Sequence, residues 1–311
     1  MASNLGKLDT PEIIELGAVQ PQTQFGVDTG WTRWIHDVSN AAGKLLALLV
    51  IALFSLPLVW MVGASLRQVG LPPPSQLEWV PDPIVFDNYP RVTDGSLIPF
   101  GTYLANSLKV VAIAVPATIL TASWAGFALA QIAARPRTII IALSLATLSF
   151  PETVLWLTRF IVYKWIGVLD TLWALVLPAL MGSSPFYVLL FYWTFTRIPA
   201  ELFEAARLEG AGAFRVWASV AMPLSKPAIV AVGVLTFVLY WSRFLDPLLY
   251  LNDGRNYTLP IGLQALHQMT PTNFPLLMTG AVLITLPVIL MFMFAQRWFL
   301  EDARGAGWLG R

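Results

Sequence analysis

Cysteine is missing from the 311-residue sequence, so disulfides and thiolate metal sites are excluded, while the compartment stays open. Charge is scarce too. Asp, Glu, Lys and Arg make up 12% of the chain, about half the share of an ordinary globular domain. The net charge is +1 and no basic cluster is dense enough to suggest nucleic acid. The two histidines, His36 and His267, lie far apart in sequence. They fall on opposite sides under the topology given below, so neither a metal pair nor a serine–histidine catalytic arrangement is expected. There is no G-x-x-x-x-G-K-[ST] phosphate loop, so the chain itself is not expected to bind ATP in the usual way. The N-terminus lacks an early apolar stretch, and no cleavable signal peptide is expected.

What the sequence has in excess is apolar surface. Hydrophobic residues reach 57% and mean hydropathy is +0.67. Several runs exceed the roughly 18 uncharged, mostly apolar residues that mark a membrane helix. The expected fold is therefore all-α and polytopic, with six membrane helices. Their expected places are Leu45 to Leu66, Val110 to Ala134, Thr138 to Leu157, Thr171 to Thr196, Pro227 to Tyr250, and Asn273 to Gln296. Pro151-Glu152 interrupts the third. Arg159 to Asp170 reads as a short amphipathic connector, and the proline-rich stretch from Pro72 to Pro99 is too broken to cross lipid. This divides the chain into a polar leader (1–43), a membrane domain (44–300) and a tail (301–311). Trp31, Trp34, Ile35 and Val38 have the spacing of an interfacial helix, though a weakly ordered leader fits as well. A cytoplasmic N-terminus leaves Arg67, Arg91, Lys109, Arg159, Lys164, Arg243 and Arg255 outside and the majority of the 19 Lys and Arg residues inside. Both termini then face the cytoplasm.

One stretch in the second half mixes charge with helical periodicity, Ile198 to Pro227. Pro199 suits a first turn, Glu201 and Glu204 sit near the helix N-terminus where anions are favoured, and Arg207 falls in the last turn. Gly210 can take the left-handed conformation that ends a helix. A second short helix carries Phe214, Trp217, Ala218 and Ala221 on one face, with Pro223 and Pro227 expected to stop it. Between two spans on the cytoplasmic side, this helix-turn-helix is shaped to be gripped from outside the membrane.

Charges and aromatics at membrane depth are the candidates for a translocation path. Glu152 lies about 14 residues into the third span, roughly 20 Å along it at 1.5 Å per residue. It either faces a cavity or partner, or sits at the outer water boundary. Arg243 and Asp246 are spaced to pair with each other, or to serve a gate. Tyr240, Trp241 and Phe244, with Ser242 among them, either stack on a solute or pack between helices. No internal inverted repeat points to an ion-coupled transporter, and Glu152 stands alone where a membrane enzyme needs a cluster.

Glu204-Ala205-Ala206, three residues, Gly210, nine residues, then Val220-Ala221-Met222-Pro223 resembles the EAA loop of ABC importer permeases, E-A-A-x3-G-x9-I-x-L-P. Val220 stands for Ile and Met222 for Leu. Pro57-Leu-Val-Trp60, Phe86-Asp-Asn88-Tyr89, Asn106-Ser107, Phe237 to Trp241, Phe244-Leu-x-Pro247-Leu248, Tyr257-Thr-Leu-Pro260-Ile-Gly262-Leu263, Gly280-Ala281 and Pro287 are similar to the carbohydrate permeases of maltose-system G-subunit type. The likeness runs from Leu45 to Phe299. Glu209 stands where that subfamily usually has Asp, Ser242 replaces a common Asn, and the leader and tail differ.

The resemblance implies a cytoplasmic coupling helix seated in an ATPase subunit, with Glu201, Glu204, Ala205, Ala206, Arg207, Gly210 and Pro223 as its contacts. It implies no cofactor on this chain, with ATP and Mg held by the ATPase. The implied partners are a second permease subunit, two ATP-binding subunits, an extracytoplasmic solute-binding protein and the lipid bilayer. Asn252, Asp253, Gly254, Arg255, Asn256 and Tyr257 match a loop that reaches toward the binding protein, or form a solvated connector. The implied activity is sugar import without covalent chemistry by this chain. A permease for polyamines, phosphate or another solute is the alternative.

Overall fold

Prolines and a few hydrogen-bonding side chains set where the helices start and stop. The computed structural model describes residues 30–182, 184–269 and 273–305, and side chains within 43–182, 184–268 and 273–297. Most of the leader, the side chains of Trp31, Trp34, Ile35 and Val38, and the tail beyond Gly305 lie outside the described residues. Among those described, the regular structure is helical.

The chain divides into two units, Met1–Leu56 and Pro57–Arg311. The first carries the start of α1 (Gly30–Ser65), where Leu45, Leu49 and Phe54 are exposed as lipid-facing side chains should be. The second holds the rest. A loop region follows, with α2 (Asn88–Thr93), then α3 (Phe100–Gln131), α4 (Ala134–Leu148) and α5 (Val154–Trp165). Next come α6 (Trp173–Leu180), α7 (Pro185–Phe195), α8 (Ala200–Leu208) and α9 (Ala213–Val216). A π turn (Trp217–Ala221) leads into α10 (Met222–Leu224), and α11 (Lys226–Ser242), α12 (Leu245–Tyr250), α13 (Leu259–Met269) and α14 (Phe274–Gly305) complete the order.

Four of these stretches are long and apolar enough to cross a membrane: Gly43–Ser65, Phe100–Gln131, Trp173–Phe195 across the α6–α7 break, and Phe274–Arg297. The pair Ala213–Leu224 and Lys226–Ser242, bent by 84°, makes a fifth if taken as one span. The expected third span is broken. Its helix α4 has 15 residues, about 22 Å at 1.5 Å per residue and short of the roughly 20 residues a crossing takes. Pro151 explains the stop, because it has no N–H and pushes Phe150 away from helical geometry.

Other boundaries move for definable reasons. α3 begins at Phe100, ten residues before the expected Val110, because its polar first turns are satisfied by distant backbone. Asn106 donates to the carbonyls of Arg255 and Tyr257 at 2.8 and 3.0 Å, and Ser107 accepts from the Leu259 amide at 2.9 Å. The expected fifth span ends at Ser242 instead of Tyr250, since Arg243 takes an extended backbone (φ −61, ψ 120) before α12 resumes. The stretch between the expected fifth and sixth spans contains α13, whose Leu259, Ile261 and Leu266 are buried. Pro223 and Pro227 do not stop the second elbow helix. Each falls in the first two positions of its own helix, α10 and α11, where a missing N–H is tolerated.

Packing is centred on α3, which joins a cluster with α7 through Ala122, Phe127, Phe191 and Phe195. A second cluster ties α3 to α11, α13 and α14 through Tyr103, Trp241, Leu259, Leu266 and Leu276. Gly126 makes the α3–α7 approach possible. A Cβ there would meet the Tyr192 amide and Val188 carbonyl at 2.9 Å. In the segment after α1, buried Asn88 donates to the carbonyls of Ser65 and Arg67 at 2.7 and 2.8 Å, which fixes α2 against the end of α1.

Candidate functional site

The elbow is built from α8 to α10. Glu201 lies in the first turn of α8 and Arg207 in its last, each favourable to the helix dipole. Gly210 then takes φ +82. Its amide donates to Arg207 O at 2.9 Å and the Ala211 amide to Ala206 O at 3.0 Å, the paired bonds of a Schellman ending. α8 starts at Ala200, so Pro199 is the residue before the helix and not part of its first turn. Among the described residues of α8, Phe203 alone is buried. Its ring lies 6.1 Å from Phe127 of α3, which meets Phe195 of α7 edge-on at 5.9 Å. Arg207 also donates to Gln131 at the end of α3.

The second elbow helix shows a different face from the expected one. Val216, Trp217 and Ala221 are buried, whereas Phe214 and Ala218 are exposed. The π turn, in which the Met222 amide reaches Trp217 O, shifts the register and so rotates the buried stripe. Outward, the elbow presents Glu201, Glu204, Ala205, Glu209 and Leu208, the last 89% exposed, together with Phe214 at 67%. A greasy, acidic-edged surface of this kind, on an element pinned to α3 by aromatic contacts of Phe203 and Trp217, is suited to contact with another protein.

A cavity of about 230 Å³ lies between α3, α4, α5, α6, α7 and α11. Thr118, Thr121, Thr147, Ser184, Tyr187 and Tyr240 supply hydroxyls, and Glu152, Arg159 and Arg243 supply charge. Glu152 sits in the break between α4 and α5 and meets Arg159 at 3.2 Å and Arg243 at 2.6 Å. Arg243 also pairs with Asp246 and stands 5.2 Å over the Tyr240 ring. The spacing of Arg243 and Asp246 foresaw their pairing. That Glu152 and Arg159 join them did not follow from sequence, because the contact spans 91 residues.

Other expected path residues are elsewhere. Trp241 is buried, stacks on Phe237 at 5.4 Å and donates to Ile284 O at 2.9 Å, so its ring is closed to any solute. Ser242 donates to Val238 O at 2.7 Å, and with Phe244 it lines a separate, mostly apolar hollow of about 430 Å³ beside Leu263, His267 and Leu277. Asp246 is buried behind Arg243. Adjacent residues on α11 point about 100° apart, which separates Tyr240 from Trp241.

The loop from Asn252 to Tyr257 is held by Asp170. Asp170 Oδ1 accepts from the amides of Asn252 and Asp253 at 2.9 and 2.8 Å, and Asn256 donates to Asp170 O at 2.6 Å. Those amide bonds hold the Asp170 carboxyl below its ordinary pKa. Asp253 accepts from the Arg255 amide and pairs with its guanidinium at 2.6 Å, which lowers the Asp253 pKa as well. Arg255 itself is exposed. Neither Asp170 nor Asn106, which grips the same loop from α3, stood out as an anchor in the sequence, since their partners are backbone groups far along the chain.

Comparisons with known proteins agree with one another. The chain is 30% identical over 277 residues to the arabinooligosaccharides transport system permease protein AraQ of Bacillus subtilis, covering 87% of this chain and 96% of that protein. It is 31% identical over 278 residues to the sn-glycerol-3-phosphate transport system permease protein UgpE of Brucella abortus, covering 86% and 96%. Among solved structures, a chain of a bacterial ABC transporter that imports the acidic polysaccharide alginate superposes with a TM-score of 0.68 at 21% identity, over 84% of this chain and 98% of that one. A second alginate transporter structure, in complex with a pentasaccharide-bound periplasmic protein, gives 0.61 at 12% identity. Residues 100–304, from the start of α3 almost to the end of α14, match the family described as the inner membrane component of binding-protein-dependent transport systems, and this chain belongs to that family.

Proposed function

We propose that this chain is one permease half of an ATP-driven ABC importer that carries an oligosaccharide or a related polyhydroxylated solute across the membrane. In this reading the chain crosses six times, with α4 and α5 together supplying the third passage, and both termini face the cytoplasm. It pairs with a second permease and two ATP-binding subunits, which hold ATP and Mg. It receives solute from an extracytoplasmic binding protein, met in part by the Asn252–Tyr257 loop.

The observation that carries the reading is the elbow. Its outer face exposes Leu208 and Glu204, while Phe203 on Phe127, and Trp217 and the partly exposed Phe214 on Trp124, lock its inner face to α3. A push on the outer face therefore reaches the helices that bound the Glu152 cavity. Closure of the ATPase pair on ATP moves the elbow, and the bundle swings between inward- and outward-facing states. Solute biases that equilibrium by its differential affinity for the two.

The solute class draws on the arabinooligosaccharide relative. A phosphorylated polyol is the second reading, favoured by the glycerol-3-phosphate relative at 31% identity. Purification of the tagged chain tests the assembly. The native chain should retain an ATPase subunit, and Glu204→Lys together with Gly210→Asp should lose it. ATPase retention and undiminished solute uptake by the double variant would contradict the proposal.

A further inference from the structure

The relatives carry cargoes of different charge by name, an arabinooligosaccharide in one case and a phosphate ester in another, so the charge of the Glu152 cavity has a consequence for selectivity. Four charged groups meet there and balance. Arg159 is paired with Glu152, and Arg243 with Glu152 and Asp246. Neither guanidinium is left free of a carboxylate. The group that faces the cavity most openly is Glu152, whose side chain is 48% exposed against 18% for Arg159 and 16% for Arg243. Both of its ion pairs use Oε1, and among the described residues Oε2 has no hydrogen-bond partner. An ionised carboxylate accepts only, so Oε2 is open to a donor from an entering solute.

A carboxylate or phosphate entering this cavity meets like charge first. Both guanidinium charges are already balanced by Glu152 and Asp246, so an anion gains less from them than from an unpaired cation, and displacing buried Asp246 from Arg243 would leave a charge uncompensated. A neutral sugar has neither problem. Its hydroxyls donate to Oε2, and the hydroxyls of Thr118, Thr147, Ser184 and Tyr240 on the cavity wall donate or accept as needed. We propose that Glu152, held by Arg159 and Arg243, makes this cavity a charge filter that accepts uncharged polyhydroxylated substrates and turns away anionic ones. The filter rests on the reading that the cavity lies on the translocation path.

The test is equilibrium binding of radiolabelled arabinotriose and trigalacturonate to the complete membrane complex in nanodiscs. The complex is held with a non-hydrolysable ATP analogue and kept free of binding protein, so that the permease alone discriminates. The native complex is expected to retain arabinotriose and reject trigalacturonate. Glu152→Gln should narrow the ratio about tenfold, equivalent to 1.4 kcal/mol, and Glu152→Asp should restore it. Thr147→Lys keeps all four charged residues and adds a cation to the same wall, where it offsets the Glu152 charge. It should admit trigalacturonate by a similar factor even if Glu152→Gln fails to assemble. Equal retention of both probes by the native complex, retention of neither, or a ratio unmoved by either charge change overturns the filter. Loss of the importer reading has a separate signature, absence of an ATPase subunit from the purified complex.

Discussion

Truncation of Phe203 to Ala should uncouple the elbow from the bundle without unfolding the bundle. Phe203 is the buried residue of α8 and makes its ring contact with Phe127. Removing a buried Phe side chain costs about 3–5 kcal/mol in well-packed sites. The exposed Arg207–Gln131 hydrogen bond also ties α8 to α3 and is worth about 1 kcal/mol. With nine residues, α8 is also shorter than the roughly 12–15 that hold a helix on their own. The anchor therefore outweighs that hydrogen bond, and what remains is the lighter packing of Ala206 on the same cluster. Hydrogen exchange of amides 202–208 in the reconstituted complex should speed up roughly a hundredfold, the equivalent of about 3 kcal/mol, while amides of α3 and α7 stay protected. ATP hydrolysis should continue and solute uptake should fall away. Phe203→Leu should lose much less on both measures. If Phe203→Ala keeps native exchange rates and coupled uptake, the single-anchor reasoning is wrong.

The turn after α8 offers a separate check. Gly210 has φ +82 and open space where a Cβ would stand, so Gly210→Ala should cost about 1–2 kcal/mol of backbone strain alone. Gly210→Asn should cost less, because Asn visits that region more readily; thermal unfolding of the two variants ranks them. The Asn252–Tyr257 loop should respond to acid. Folding lowers the Asp170 pKa, so its contribution is full above the unfolded value near pH 3.9 and is lost as pH falls through the lower folded value. Limited proteolysis of the loop should be flat from about pH 7 to pH 5 and quicken below about pH 4, and Asp170→Ala should be quick throughout.

Local chemistry was the legible part of this protein. The elbow's turn at Gly210, the break at Pro151 and the pairing of Arg243 with Asp246 each depend on residues a few positions apart, and the sequence carries them. Hydropathy likewise located the long apolar helices. What escaped depends on distant partners. Asn106 and Ser107 look like loop residues until the Arg255, Tyr257 and Leu259 backbones meet them, and α3 gains its first ten residues that way. Tyr240 and Trp241 are neighbours with similar chemistry. Only packing against Phe237 and Ile284 turns Trp241 into the core and leaves Tyr240 on the cavity. The buried face of the second elbow helix departs from its expected stripe because a π turn breaks the 3.6-residue period.

The central claim is that a motor protein grips the outer face of the elbow from the cytoplasm. Because the chain has no cysteine, Leu208→Cys introduces a single thiol at its most exposed apolar position there. Labelling with a membrane-impermeant maleimide in oriented vesicles measures the claim directly. The account predicts modification from the cytoplasmic side alone, blocked when the ATPase subunits are bound. Modification from the opposite side, or labelling that bound ATPase leaves undiminished, would contradict it.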